Sequence, residues 1–302
     1  MSVPYSAGPT RSRHTTLTLS DGRSLSYADY GAERDPLVVF IPGFGHSRLA
    51  RAPGGCPGIR VISIDLPGIG NSTANTGYSL QSWALDIDQL LDGLGVPRCA
   101  ALGWSWGGPY ALALGHVLPD RITAVGLASA LTGWLTGPGR AREVKAEFRT
   151  FGLWWYTPFA ARQFLRRQAR AVLADPEKAY AKDYHVAPEA DRNVMDDPQL
   201  RQMLLDSQRE AWIHGTTGMY QHSRAVALPW GFDPAAVKAP LHMWQGEADP
   251  EIRAAMAAAF AHRSNADLQV SPNGGHLLVF SQWEQILAQL TGHEDQSRTD
   301  TP

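Results

Sequence analysis

The sequence predicts an α/β protein in which helices cover both faces of a mainly parallel sheet. Short apolar runs, which are typical of strands buried on both faces, alternate with longer segments of helical periodicity. This alternation stops between residues 132 and 228, where helical periodicity continues without strand runs. A chain of 302 residues can bury one large core and carry an inserted subdomain.

Composition argues against several classes of protein. Hydrophobic residues make up 44% of the chain and charged residues 19%, as in ordinary globular proteins. A net charge of −2 gives no field that favours nucleic acid or a membrane surface. The chain has no apolar run of transmembrane length and no signal-type N-terminus, so we expect a cytoplasmic protein. Of the two cysteines, Cys99 lies in an apolar run, and no disulfide with Cys56 is expected.

The predicted strands follow one another with turns or helices between them. Asp21 and Gly22 form a strong hairpin signal between the first two strands. The strand segments are 14–20, 23–30, 37–41, 60–66, 99–103, 122–128, 241–245 and 267–270.

Four segments outside the insertion have helical patterns, namely 80–94, 106–118, 252–262 and 277–290. In the first, apolar residues recur three and four positions apart. Ser79 is placed as its N-cap, and Gly95 and Pro97 end it. The alternation of strands and helices favours a parallel sheet covered on both faces.

The insertion is rich in aromatic residues, which suggests an apolar substrate or, alternatively, simple packing of the insertion on the core. We expect a pocket lined by Trp104, Trp134, Trp154 and Trp155. Arginines 162, 166, 167 and 170 either meet an anionic substrate or form a solvated face. The expected organisation is a core of residues 14–131 and 229–291, a helical cap of 132–228, and flexible termini of 1–13 and 292–302.

The strongest chemical signal is the motif Gly103-Trp104-Ser105-Trp106-Gly107. It follows a buried strand and opens a helix, which is the context of a serine nucleophile on a sharp turn. The glycines remove side chains that would collide at such a turn, and the helix N-terminus favours developing negative charge. We therefore predict that Ser105 is the nucleophile.

A serine nucleophile requires a base and a carboxylate that orients the base. His276 is the best candidate of ten histidines because it follows a late strand and the Asn273-Gly274-Gly275 loop. The other nine show no metal-ligand spacing and are interpreted as surface, core or supporting residues. Asp249 is the expected carboxylate, with Glu247 as its rival, because Asp249 lies at the tip of the loop where Pro250 starts a helix.

An oxyanion requires two backbone donors, for which we predict the amides of Trp106 and Phe44. Phe44 lies in the loop 42–47, where a glycine on each side permits close backbone approach. The loop 65–72 follows the next strand and is expected to have a structural role.

These residues resemble the α/β-hydrolase family over nearly the whole chain. The matching motifs are Asp21-Gly22-Arg23, Pro42-Gly43-Phe44-Gly45, Asp65-x-Pro67-Gly68-x-Gly70-x-Ser72, the serine motif continued to Gly108-Pro109, Gly246-Glu247-x-Asp249 and Gly275-His276. The segment 229–233 is similar to capped bacterial hydrolases of mostly unknown substrate. The resemblance implies an eight-stranded, mostly parallel sheet with a cap over the site, and neither a metal nor an organic cofactor.

The chain departs from this family at two points. Pro42 stands where many relatives carry histidine, which bears on substrate preference. Family branches that open epoxides or remove halides carry aspartate at the position of Ser105, so this chain resembles the serine branch. Trp104 and Trp106 flank the serine with bulky side chains that could narrow the site.

The predicted function is a serine hydrolase that cleaves an ester-type or related acyl bond of a small, apolar substrate through an acyl-enzyme. One alternative is a non-hydrolytic enzyme with the same triad, such as a lyase, a cyclase or a cofactor-free oxygenase. Another is a ligand-binding receptor with vestigial activity. A small molecule is the expected partner, with no nucleic acid and no membrane.

Overall fold

The computed structural model describes residues 13–53, 55–75, 77–133 and 157–293, and its strands form one open eight-stranded sheet. The expected α/β class with a mostly parallel sheet of eight strands is confirmed. The strands are β1 (Arg13–Thr18), β2 (Ser24–Tyr30), β3 (Leu37–Ile41), β4 (Arg60–Ile64), β5 (Cys99–Trp104), β6 (Ile122–Ala128), β7 (Leu241–Gly246) and β8 (Asp267–Ser271).

The strand order is β1-β2-β4-β3-β5-β6-β7-β8. The hairpin predicted at Asp21 and Gly22 joins β1 to β2, which pair antiparallel, and β2 pairs antiparallel with β4. The other pairs are parallel. Strand β3 lies between β4, the next strand in sequence, and β5. The strand order therefore reverses direction at β3, and the carboxyl ends of β3 and β5 flank a crevice suited to ligands.

Helices pack on both faces of the sheet. Successive residues of β3 alternate between two apolar clusters, with Val39 in one cluster and Val38 and Phe40 in the other. The helices of the core are α1 (Leu80–Gly93), α2 (Gly108–Val117), α8 (Ala254–Ser264), α9 (Leu278–Ser281) and α10 (Trp283–Thr291). Cys56 and Cys99 are free thiols, as expected.

Among the described residues between β6 and β7 there are five α-helices. They are α3 (Pro158–Ala174), α4 (Pro176–Val186), α5 (Glu189–Asp196), α6 (Pro198–Trp212) and α7 (Thr217–Ala227). We call them the inserted helices. Within the ranges that the structure describes, no helix combines the length and the apolar character needed to cross a bilayer.

Two predicted helices differ in the structure. The segment 277–290 is not one helix, because it divides into α9 and α10 at Gln282. The hydroxyl of Ser281 bonds the Leu278 carbonyl oxygen at 3.1 Å, a local bond that competes with helix geometry. The helix expected to start at Pro250 begins at Ala254, since the Asp249 carboxylate binds the N–H groups of Glu251 and Ile252 in a loop.

Candidate active site

Ser105 lies on a sharp turn at the carboxyl end of β5. Its φ is 55°, a left-handed conformation that is uncommon for residues other than glycine. A Cβ on Gly103 would lie 2.5 Å from the Gly107 carbonyl oxygen, and one on Gly107 would lie 2.2 Å from that of Ile41. The two glycines are therefore needed for the strand, the turn and the neighbouring loop to pack this closely.

The structure brings Ser105, His276 and Asp249 together from three separate segments. His276 Nε2 lies 2.9 Å from Ser105 Oγ, and His276 Nδ1 lies 3.0 Å from Asp249 Oδ2. All three residues are buried, whereas the rival carboxylate Glu247 is exposed. The histidine thus bridges the hydroxyl and the carboxylate, as its predicted role requires.

The hydrogen bonds of Asp249 fix the tautomer of His276. Asp249 Oδ1 accepts the N–H groups of Glu251 at 2.8 Å and of Ile252 at 2.9 Å. Burial alone would raise the pKa of Asp249, but His276 and these two donors lower it, so the carboxyl group is an ionised acceptor. In the neutral imidazole, His276 Nδ1 then donates to Asp249, which leaves the Nε2 lone pair facing the Ser105 hydroxyl.

The main chain of His276 is held on both sides. The indole Nε1 of Trp104 donates to the His276 carbonyl oxygen at 3.0 Å. The Asp191 carboxylate, from inserted helix α5, accepts the N–H of His276 at 2.8 Å and that of Leu277 at 2.7 Å. These anchors restrict the imidazole to the position between Ser105 and Asp249.

A cavity of about 460 Å³ opens onto Ser105 and His276. Its floor comes from the loop after β3 and the turn after β5, and its far wall comes from the inserted helices. Phe44, Trp104, Trp106 and Trp212 contribute aromatic surface, while His46 and Glu251 contribute polar groups. The lining therefore combines aromatic surface with several polar groups, as is usual for small-molecule sites.

Carboxylates dominate the electrostatics around His276. Glu251 Oε2 lies 3.5 Å from His276 Nε2, on the cavity side. Burial alone would lower the pKa of His276, but the charges of Asp249, Glu251 and Asp191 outweigh burial and raise it above the ordinary value. The site therefore favours the imidazolium that forms when the histidine takes a proton.

Two histidines adjoin the site although their sequence context gave no sign of it. His46 lines the cavity, and its Nδ1 lies 3.2 Å from Ser207 Oγ. His222, from α7, stacks on Trp106 with ring centroids 5.7 Å apart. Burial lowers the pKa of each imidazole to about 3, so both are neutral at physiological pH.

The other predicted site residues differ in where they fall. Phe44 and Trp106, the expected oxyanion donors, both line the cavity beside Ser105, with ring centroids 4.9 Å apart. Trp104 also lines it, as expected for the pocket. Trp134, Trp154 and Trp155 lie outside the described residues.

The arginines of α3 do not act as a group. Arg162 lies over the ring of Tyr220 at 4.5 Å from the centroid. The other three are exposed and do not line the cavity, which favours the interpretation of a solvated face.

Comparison with known proteins places the chain in a family. The sequence profile described as "Alpha/beta hydrolase family" matches residues 38–289, so the chain belongs to the alpha/beta hydrolase family. In structure the chain is similar to an esterase from Exiguobacterium antarcticum, with a TM-score of 0.67, 18% identity and coverage of 93% of this chain and 99% of the esterase. At that identity the likeness shows the fold.

Two curated relatives are similar in sequence. The chain is 31% identical over 118 residues to epoxide hydrolase 3 of Xenopus tropicalis, and the matched stretch covers 37% of this chain and 32% of that protein. It is 26% identical over 282 residues to the dihydrolipoyllysine-residue acetyltransferase component of the acetoin cleaving system of Pseudomonas putida, covering 89% and 66% respectively. The chain therefore spans about one third of the first relative and two thirds of the second.

Proposed function

We propose that the protein is a serine hydrolase that cleaves an ester or related acyl bond of a small, largely apolar substrate through an acyl-enzyme. The observation that carries the proposal is the position of His276, within 3.0 Å of both Ser105 Oγ and Asp249 Oδ2. A nucleophile, its base and an orienting carboxylate in this arrangement perform acyl transfer in unrelated folds.

Acylation begins when Ser105 Oγ attacks the carbonyl carbon and passes its proton to His276 Nε2. The carbonyl π electrons move to oxygen, and the main-chain amides of Phe44 and Trp106 are the proposed donors to that oxyanion. When the tetrahedral intermediate collapses, the bond to the leaving oxygen breaks and His276 returns the proton to it.

Deacylation repeats these steps with water. A water molecule gives a proton to His276 as its oxygen attacks the acyl carbon, and Ser105 leaves with that proton. The carboxylic acid is released and the enzyme is regenerated. Asp249 stays ionised throughout, since its role is to orient the imidazole and stabilise the imidazolium.

The proposed cap comprises residues 132–228, and the inserted helices belong to it. Their described part supplies the far wall of the cavity, including Trp212 of α6. A wall of this kind excludes water and selects substrates by shape. The aromatic surface around Ser105 supports a substrate with an apolar acyl or alcohol group.

The nucleophile distinguishes this proposal from epoxide opening. Family branches that open epoxides carry aspartate at the turn, whereas this chain carries Ser105. The similarity to epoxide hydrolase 3 covers 37% of this chain. Ser105 and its hydrogen bond to His276 therefore favour acyl chemistry.

The decisive test is a burst experiment with short p-nitrophenyl esters. We expect wild type and the remote control Ser264→Ala to release a burst of p-nitrophenol equal to the enzyme concentration. Ser105→Ala should release none. A burst that survives in Ser105→Ala, or wild type that hydrolyses no ester in a panel of acyl lengths, would overturn the proposal.

A further inference from the structure

We propose that Asp191 is a positioning residue for His276, through which the inserted helices hold the proposed base in place. The expected effect of Asp191 on kcat rests on the proposed function. Its expected effect on the position and the pKa of His276 does not. Asp191 lies 85 residues before His276 and belongs to a different layer of the molecule.

Asp191 binds the loop that carries His276, here called the histidine loop, with both carboxylate oxygens. Oδ2 accepts the N–H of His276 at 2.8 Å, and Oδ1 accepts the N–H of Leu277 at 2.7 Å. Consecutive backbone donors on one carboxylate fix both the distance and the plane of that peptide unit. Charge-assisted bonds of this kind are about twice as strong as neutral ones, and Asp191 is only 4% exposed.

The loop is shaped to receive this carboxylate. A Cβ on Gly275 would lie 2.2 Å from Asp191 Oδ1 and 2.3 Å from its Cγ, so the glycine is required for the approach. Helix α5 also contacts α9, which follows the same loop, and Val194 and Met195 of α5 share an apolar cluster with Leu278 of α9. The docking of α5 is therefore both polar and apolar.

Asp191 also contributes charge. The ionisable groups that act on His276 are the carboxylates of Asp249 and Glu251 from the loop after β7, Asp191 from α5, and the neutral His46 from the loop after β3. Lys182 and Asp183 of α4 line the same cavity. Asp191 is thus one of three anions that stabilise the imidazolium, and the only one of the three from the inserted helices. Withdrawing α5 would remove two main-chain anchors and one anion together.

The test compares Asp191→Asn with Glu189→Gln. The control removes a carboxylate from the same helix at an exposed position outside the cavity. An asparagine offers one acceptor and an NH₂ group where two N–H donors require two acceptors. We expect kcat to fall roughly 10- to 100-fold, the scale of a misplaced catalytic group, with KM changed less than threefold. Glu189→Gln should match wild type.

A second readout does not require turnover. The imidazole of His276 is titrated by NMR in histidine-labelled protein, with its signal assigned by its absence from His276→Asn. Losing a nearby anion lowers the pKa of a histidine, so the His276 midpoint should lie at lower pH in Asp191→Asn than in wild type and Glu189→Gln. The acid limb of kcat/KM should move in the same direction.

An unchanged kcat together with an unchanged His276 titration in Asp191→Asn would overturn the proposal. A loss of stability alone would show only that Asp191 supports the fold. If Asp191→Asn does not fold, Gly275→Ala displaces the same carboxylate from the other side and is judged by the same two readouts. If wild type turns over no ester, the proposed function fails. The NMR titration then decides the role of Asp191 by itself.

Discussion

The indole Nε1 of Trp104 donates a hydrogen bond to the His276 carbonyl oxygen, so the residue before the proposed nucleophile supports the main chain of the proposed base. The N–H of the same histidine is held by Asp191. Both polar groups of this peptide backbone are therefore satisfied by side chains 85 or more residues away along the chain. The position of the imidazole depends on packing between layers and not on the loop alone.

Replacing Trp104 with phenylalanine should show the value of this bond. Phenylalanine keeps an aromatic ring beside His46 and Phe280 but leaves the His276 carbonyl oxygen without its donor. We expect the free energy of unfolding to fall by about 1–3 kcal/mol. We expect kcat to fall about three- to tenfold, which corresponds to about 0.7–1.4 kcal/mol of lost transition-state stabilisation. Chemical denaturation and ester kinetics measure the two effects.

Trp83→Phe is the matched control for Trp104→Phe. Trp83 is equally buried, and within the described part of the chain its Nε1 has no hydrogen-bond partner. The control removes the same volume without removing a bond. Equal losses in the two variants would show that the Trp104 bond contributes nothing beyond packing.

Glu251→Gln should change the pH dependence of activity. His276 must be neutral to accept a proton, so kcat/KM rises as the pH passes upward through its pKa. The Glu251 carboxylate helps to raise that pKa. Removing the charge lowers the pKa and should move the acid limb of kcat/KM to lower pH. Rate profiles at constant ionic strength measure the shift.

Glu247→Gln is the control for Glu251→Gln, since Glu247 lies in the same loop but is exposed and does not line the cavity. Added salt should bring the acid limbs of wild type and Glu251→Gln closer together in pH, because the half-exposed Glu251 side chain is partly screened. An identical acid limb in all three proteins would contradict the electrostatic role of Glu251.

Asp65→Asn should destabilise the fold strongly. Asp65 is fully buried and accepts the Arg48 guanidinium at 2.5 Å and the Arg48 N–H at 2.7 Å. Removing one partner of a buried ion pair costs about 3–5 kcal/mol. Arg48 keeps a second, partly exposed partner in Glu210 at 2.8 Å, so we expect a loss in the lower part of that range. Urea unfolding measures the loss. The exposed pair of Glu177 with Arg201 supplies the comparison, and Glu177→Gln should cost less than about 1 kcal/mol.

His222→Phe should reduce the loss of stability in acid. The pKa of His222 is about 3 in the folded protein and its ordinary value is 6.5. As the pH falls below 6.5, the unfolded chain binds a proton that the folded chain does not, so this histidine makes the protein less stable. Phenylalanine removes that term and can keep the stacking on Trp106 and Tyr110.

The difference in the free energy of unfolding between His222→Phe and wild type should therefore increase in favour of the variant as the pH falls from 6.5 to about 4. His262→Gln, at an exposed position on α8, should follow wild type over the same range. A constant difference between His222→Phe and wild type would mean that His222 does not titrate differently in the two states.

The sequence alone was sufficient for the features that depend on local geometry. Gly103 and Gly107 predicted the turn at Ser105 because each lacks a side chain at a close contact. The choice of Asp249 over Glu247 followed from the position of the two residues relative to the end of β7, and the 3.0 Å contact with His276 agrees with it.

Features that depend on distant segments were not predictable from the sequence. Asp191 lies in a helix whose pattern shows no sign that a carboxylate binds a loop 85 residues later. His46 and His222 were not separated from the other histidines, because their burial and their aromatic neighbours exist only in the folded chain. The break at Gln282 leaves no mark in the sequence, because helical periodicity continues through it.

The contact between α5 and the histidine loop also bears on recombination between relatives. An enzyme whose variable layer only covers a finished core could exchange that layer for a foreign one and keep its chemistry. Here the inserted helices supply, through Asp191, the acceptors for two backbone N–H groups at the proposed active site. In a chimera whose inserted helices come from a relative without a carboxylate at the position of Asp191, substrate selectivity would change and His276 would also be held less firmly.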